Sequence, residues 1–164
     1  MPKKNCEYCN PRKSFVLIET SYCRLIIPKK MHISPDDGGH LIVVPCRHIS
    51  TRLELLENEV LEMWRLSVVG AKALIRTLST DWINYQENGN WTVDTPEKRH
   101  LHLHIYGRRR DSVSQPFGEA LRFPLKRDFP LLKIKTYSNR QVELLRKYSL
   151  EAMHKIFFSK KVEK

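Results

Sequence analysis

The segment His100-Leu101-His102-Leu103-His104-Ile105-Tyr106-Gly107 constrains this 164-residue chain more than any other. Strand side chains alternate between faces, so a strand over 100–107 carries three imidazoles on one face and Leu101, Leu103 and Ile105 on the other. The aliphatic face demands a core. The imidazole face demands a use, because neutral imidazole is both a metal ligand and a nucleophile. The plain alternative is the polar outer face of an ordinary strand. Three of the chain's seven histidines within five positions weigh against it and favour a metal or phosphate site.

The flanking sequence builds a sheet around that strand. Apolar runs over 14–19 and 23–28, separated by Thr20-Ser21-Tyr22, predict a hairpin. Ser34-Pro35-Asp36-Asp37-Gly38-Gly39 is turn chemistry, and His40 to Pro45 reads as a third strand. The period then changes. Thr51-x-x-Glu54 is a capping box, and Leu53, Leu56, Val60, Met63, Trp64, Ser67, Ala71, Leu74 and Leu78 recur every three or four residues, predicting a helix over 52–79. Trp82 to Glu87 reads as a strand, Asn88-Gly89-Asn90 as a turn, and 91–93 as a short extended piece. Residues 108–137 read as an irregular wrap. Ser138-x-x-Gln141 caps a terminal helix with Val142, Leu145, Ser149, Ala152, Met153 and Ile156 on one side. The class is α+β: an antiparallel sheet of about five strands with one long helix and a C-terminal helix. Residues 1–137 form the domain, and 138–164 a helix and basic tail packed on it.

Composition narrows the partner. Lys plus Arg number 29 and Asp plus Glu 18, a net charge of +11, which points to a polyanion: nucleic acid, nucleotide or anionic surface. An apolar content of 41% excludes a disordered chain. No apolar run approaches the ~20 residues of a membrane span, and the start lacks an apolar signal segment, so a cytoplasmic protein without membrane partners is expected. Four cysteines, Cys6, Cys9, Cys23 and Cys46, are then expected as reduced thiols. Cys6-x-x-Cys9 fits a metal knuckle or a redox dithiol; the Pro11 and basic loop that follow favour metal.

These residues resemble the histidine-triad (HIT) family of nucleotide hydrolases and transferases. His100 to Tyr106 is similar to its His-φ-His-φ-His-φ-φ signature, where φ is apolar. Gly39-His40-Leu41-Ile42-Val43-Val44-Pro45-Cys46-Arg47-His48 is similar to its Gly-His strand, and Cys6-x-x-Cys9 to the knuckle of zinc-bearing, bacterial-type members. The resemblance covers about residues 6–107 and implies a HIT-like fold, usually a homodimer. It implies hydrolysis or transfer at the α-phosphate of a nucleotide substrate, such as a dinucleoside polyphosphate or nucleotide adduct. His102 is then the nucleophile forming a nucleotidyl-histidine, with His104 and His40 near the phosphate. Cys6, Cys9, His48 and His100 become the ligands of a structural zinc.

Substrate contacts are expected from His32, Asn88, Asn90, Lys98, Arg99 and Arg108. Two positions depart from the family's pattern. Thr95-Pro96-Glu97-Lys98-Arg99 stands where members carry a Gly-Gln-Ser or Gly-Gln-Thr phosphate loop, and His32 stands where they carry the Asp or Asn that holds the ribose. Glu97 should repel phosphate, leaving Lys98, Arg99 or Arg108 to compensate. Three other readings compete. In one, His100, His102 and His104 bind a catalytic metal. In another, the protein processes nucleic-acid ends; no nucleic-acid-binding motif favours it. In the last, it is a nucleotide-binding relative with weak or no activity.

Overall fold

A computed structural model describes residues 3, 6–89, 99–123 and 134–158. Five antiparallel strands form one sheet: β1 (Val16–Glu19), β2 (Cys23–Ile26), β3 (His40–Pro45), β4 (Trp82–Gln86) and β5 (Leu103–Arg108), in the order β1-β2-β3-β5-β4. Two helices complete the fold, α1 (Glu57–Leu78) and α2 (Asn139–Met153). The α+β class and the five-strand antiparallel sheet agree with the expectation from sequence. The extended piece expected at 91–93 lies outside the described residues.

β3 is buried along its whole length because both of its faces are covered. Leu41 and Val43 join Leu25 and Ile105 in the main core under α1, while Ile42 and Val44 meet Ile26 and Tyr8 on the other face. Register sets the functional face: His40 lies opposite Tyr106, and Ile42 opposite His104. Strand alternation therefore places His40, His104 and Tyr106 on the face away from α1.

α1 starts five residues later than the capping box at Thr51 predicts. Glu54 does accept the N–H groups of Ser50 and Thr51, at 2.9 and 3.1 Å, but this closes only a 3-10 turn over Arg52–Glu54. The helix itself is capped by Glu59, whose buried carboxylate accepts the Leu56 N–H at 2.8 Å and pairs with Arg47. The buried face also differs from the one predicted. Of the predicted stripe Met63, Ser67, Ala71, Leu74 and Leu78 are buried, but Leu53, Leu56, Val60 and Trp64 are exposed, and the helix buries Leu66, Val69, Gly70 and Ala73 as well. Small residues decide this: a Cβ on Gly70 would stand 2.6 Å from Ile105 Cδ1 and 3.0 Å from Leu25 Cδ1, so the helix approaches the sheet closest there.

α2 follows its sequence pattern. Ser138 accepts the Gln141 N–H, and the Gln141 side chain accepts the Ser138 N–H. Leu145, Ser149 and Ala152 are buried, with Val142, Met153 and Ile156 packed beside them. The last turn widens to a π-helix over His154–Phe158.

The strand expected over 100–107 begins only at Leu103. Before it, Leu101 N–H donates to Ile49 O at 2.7 Å, so the histidine segment leaves the loop after β3 and enters the sheet from there. At the other end of β5, Gly107 packs on Gly38: its added Cβ would lie 1.9 Å from Gly38 O and 2.9 Å from Thr80 Cγ2. No side-chain rotation relieves a contact with backbone. Gly107→Ala should cost about 3 kcal/mol, the upper end for overpacking, and lower the melting temperature by several degrees. An unchanged melt would contradict this packing.

Candidate active site

The three alternating histidines do three different things. His100 turns toward the N-terminal knuckle: its Nδ1 lies 3.2 Å from Cys6 Sγ and 3.5 Å from Cys9 Sγ, and Cys9 Sγ lies 3.3 Å from His48 Nδ1. The four ligand atoms lie within 4.8 Å of one another. His100 Nε2 donates to Pro45 O at 3.0 Å, which fixes its proton there and leaves the Nδ1 lone pair facing the sulfurs. Burial holds both His48 and His100 below the ordinary imidazole range, which favours the neutral, ligating form. The Cys6, Cys9, His48 and His100 set, the one the resemblance implies, could hold a divalent metal.

His102 is held by its neighbour. Its Nδ1 donates to the His100 carbonyl at 2.7 Å, so the lone pair sits on Nε2. Burial lowers its basicity further, keeping the ring neutral. The Tyr8 ring lies against it, centroids 4.8 Å apart, and His104 meets it edge-on at 4.6 Å.

His104 ends a relay whose protons can be assigned by counting. The His32 N–H donates to His40 Nδ1 at 3.2 Å. His40 must then carry its proton on Nε2, which donates to His104 Nδ1 at 2.8 Å. The remaining His104 proton sits on Nε2, a buried atom with no hydrogen-bond partner among the described residues. Burial, and then the neighbouring imidazoles, holds His40 and His104 far below the ordinary range. The result is a neutral N–H donor with no acceptor among the described residues, on a ring that meets the neutral His102 ring edge-on. A buried donor left unpaired costs about 1–3 kcal/mol, so a ligand oxygen in this place is strongly favoured.

His32 joins from the turn before β3. Its ring stacks on His40 at 4.8 Å, and its Nδ1 lies 2.8 Å from Tyr106 Oη, which also accepts from Asn88 at 3.2 Å. Burial, and then His102, pushes His32 down to about 4. Asn88 is thus brought beside the histidine cluster through Tyr106. Arg108 lies further along the same face. It is buried, donating to Asn84 Oδ1 and to the carbonyls of Pro116 and Glu119, and so pins the loop after β5. That loop carries Phe123 to 5.3 Å from Tyr106 and 5.8 Å from His32, covering one end of the site. Arg99 is half-buried just before the histidine segment. Asn90, Lys98 and the segment Thr95-Pro96-Glu97 lie outside the described residues.

His100, His102 and His104 do not converge on one point, which counts against a catalytic metal held by all three. Among the described residues the other compact set is His32, His40 and His104, already joined by hydrogen bonds and stacking. The sequence pattern does not single out Tyr8 or Tyr137, and Trp82, which opens β4, is exposed. No helix among the described residues is long and apolar enough to cross a membrane.

A family model described as HIT domain matches residues 11–111, more than half of the chain. No curated protein matches by sequence. Similar solved structures include a hypothetical histidine triad nucleotide-binding protein from Sulfolobus tokodaii, at TM-score 0.63 and 16% identity, covering 94% of this chain and 99% of that one. A Zn-bound histidine triad family protein from Mycobacterium smegmatis gives TM-score 0.61 and 20% identity, with 90% and 94% covered. Plasmodium falciparum diadenosine triphosphate hydrolase gives 0.53 and 16%, with 90% and 81% covered.

The lowered histidines make stability depend on pH. The unfolded chain takes up protons as pH falls through about 6.5, whereas folded His32 resists until about 4 and His40 and His104 further still. The folded state binds fewer protons in that window, so stability is lost as pH falls from about 7 to about 4. His32→Asn should flatten the fall, read as melting temperature against pH; an identical slope would contradict the assignment.

Proposed function

This chain belongs to the HIT domain family, and on that premise we propose that it cleaves a nucleotide at the α-phosphate, with a dinucleoside polyphosphate or nucleotide adduct as substrate. The observation that carries the reading is the His102 hydrogen bond to the His100 carbonyl, which leaves Nε2 unprotonated. In this reading His102 Nε2 attacks the α-phosphorus. The bond to the leaving-group oxygen breaks, and its electron pair departs with that oxygen. Water then attacks the phosphorus of the nucleotidyl-histidine, the P–N bond breaks, and His102 is restored with release of a nucleoside monophosphate. His104 Nε2–H stabilises charge on a non-bridging oxygen in both steps, with His40 holding His104 in the required tautomer. His32, Asn88, Asn90, Lys98, Arg99 and Arg108 supply substrate contacts directly or, for Asn88 and Arg108, through Tyr106 and the Phe123 loop.

The metal in this reading is zinc, held by Cys6, Cys9, His48 and His100. Ideal tetrahedral zinc with bonds of about 2.3 Å to sulfur and 2.0 Å to nitrogen has S···N edges of about 3.5 Å. The observed Sγ···Nδ1 separations of 3.2, 3.3 and 3.5 Å are close to that. Two thiolates and two imidazoles close the coordination sphere, so the ion serves structure. It ties the knuckle to the residue whose carbonyl holds His102. A homodimer in the cytoplasm belongs to the same reading, and the exposed Val60 and Trp64 on α1 offer apolar surface for association.

A second reading rests on a groove of about 160 Å³ lined by Tyr8, Phe15, Arg12, Lys29 and Glu7 among others. Cations on an aromatic floor favour a nucleotide attached to a nucleic-acid end, whose processing would weaken steeply with salt.

A panel of dinucleoside polyphosphates should yield nucleoside monophosphate with wild type. His102→Ala should lower turnover by about a thousandfold or more, as expected when a covalent path is removed. Turnover retained in that variant would defeat the nucleophile assignment. Metal analysis should find zinc in wild type and its loss in Cys9→Ser. Zinc retained in full would exclude the four-ligand site.

A further inference from the structure

The first residue of β3 lacks a strand partner on one side. Gly107 N–H donates to Gly39 O at 3.0 Å, toward β5, so the backbone groups of the next residue, His40, point the opposite way, toward β2. But β2 has already ended, its last pair being Ile26 with Ile42. The gap is filled by one side chain from far along the sequence. Tyr137 Oη accepts the His40 N–H at 2.7 Å and donates to the His40 carbonyl at 3.1 Å. A single hydroxyl thus does the work of the missing strand.

We propose that Tyr137 is a positioning residue for the reaction, fixing His40 so that His40 can hold His104 as an Nε2–H donor. Three observations converge on it. Tyr137 lies outside residues 11–111, the stretch that the family model matches, so the domain signature does not account for its contact with the site. The seat for the hydroxyl is made by Gly39, with φ of +82°: a Cβ there would stand 2.6 Å from Tyr137 Oη. Lys135 pairs with Asp36 at 2.5 Å, fastening the same segment to the turn that carries His32's neighbours.

The consequence follows from the relay. The His32 N–H to His40 Nδ1 bond is long, 3.2 Å, and alone decides which nitrogen of His40 is protonated. If His40 shifts, that bond is lost first. His40 can then take the other tautomer and accept from His104, which moves the His104 proton from Nε2 to Nδ1. The site would still bind a nucleotide, but it would present a lone pair where charge develops. The loss falls on kcat rather than KM.

The test is Tyr137→Phe, which keeps the ring and removes only the hydroxyl. Leu145→Ala, which loosens the same C-terminal segment away from the site, serves as the control. The inference rests on the proposed function only for its kinetic readout. In nitrogen-15 spectra of histidine-labelled protein, wild type and Leu145→Ala should show His40 and His104 in one Nε2–H tautomer each, and Tyr137→Phe a mixture. With dinucleoside polyphosphate, Tyr137→Phe should lose about tenfold in kcat, the scale of one hydrogen bond, with KM within about twofold. Unchanged nitrogen shifts in Tyr137→Phe overturn the inference, as does the same tautomer mixing in Leu145→Ala. If wild type turns over no nucleotide, the functional reading fails, and the nitrogen shifts still decide the role of Tyr137.

Discussion

The hydrogen bond from His102 Nδ1 to the His100 carbonyl is the contact on which the rest of the site depends. One residue, His100, serves two structures at once. Its ring closes the Cys6, Cys9 and His48 cluster, with Pro45 O fixing which nitrogen faces the thiols. Its carbonyl fixes which nitrogen of His102 is free. The Cys6, Cys9, His48 and His100 cluster and the histidine strand are therefore one mechanical unit, and a disturbance of either reaches the other through a single backbone group.

The second unit is the chain of neutral imidazoles. Among the described residues, His40 and His104 are buried among rings rather than beside carboxylates, and burial disfavours their charged forms. Their protons are placed by backbone: the His32 N–H at one end, with Tyr137 steadying His40 from the side. Such a relay works only when every member is held, because the tautomer of each histidine is set by the hydrogen bond its other ring nitrogen makes. The close approach of Gly38 to Gly107 and the open seat at Gly39 serve that end of the sheet, where β3 and β5 enter the site.

Local pattern made most of this legible. Alternation in Leu103 to Tyr106, the strand opening at His40, the knuckle Cys6-x-x-Cys9 and the Ser138 capping box all rest on neighbours within a few residues, and each is found in the structure. The misses are long-range. Two acidic residues could each have capped the long helix, and Glu59 does so because Arg47 of the preceding loop reaches it. The helix face followed Gly70 and Ala73, which have no apolar bulk to read. Arg108 is expected from sequence as a cation for the substrate, yet the returning loop buries it under the carbonyls of Pro116 and Glu119. Tyr137 lies 97 residues from His40 and bonds only to its backbone, so no side-chain pattern announces it.

The account turns on one nitrogen. Wild-type protein mixed rapidly with a dinucleoside polyphosphate, quenched in alkali and digested for mass spectrometry reads it directly. A nucleotidyl group should appear on the peptide containing 100–106 and map to His102, with its phosphorus on Nε2. An adduct on His104 or His40, or turnover with no adduct at any quench time, would contradict the account.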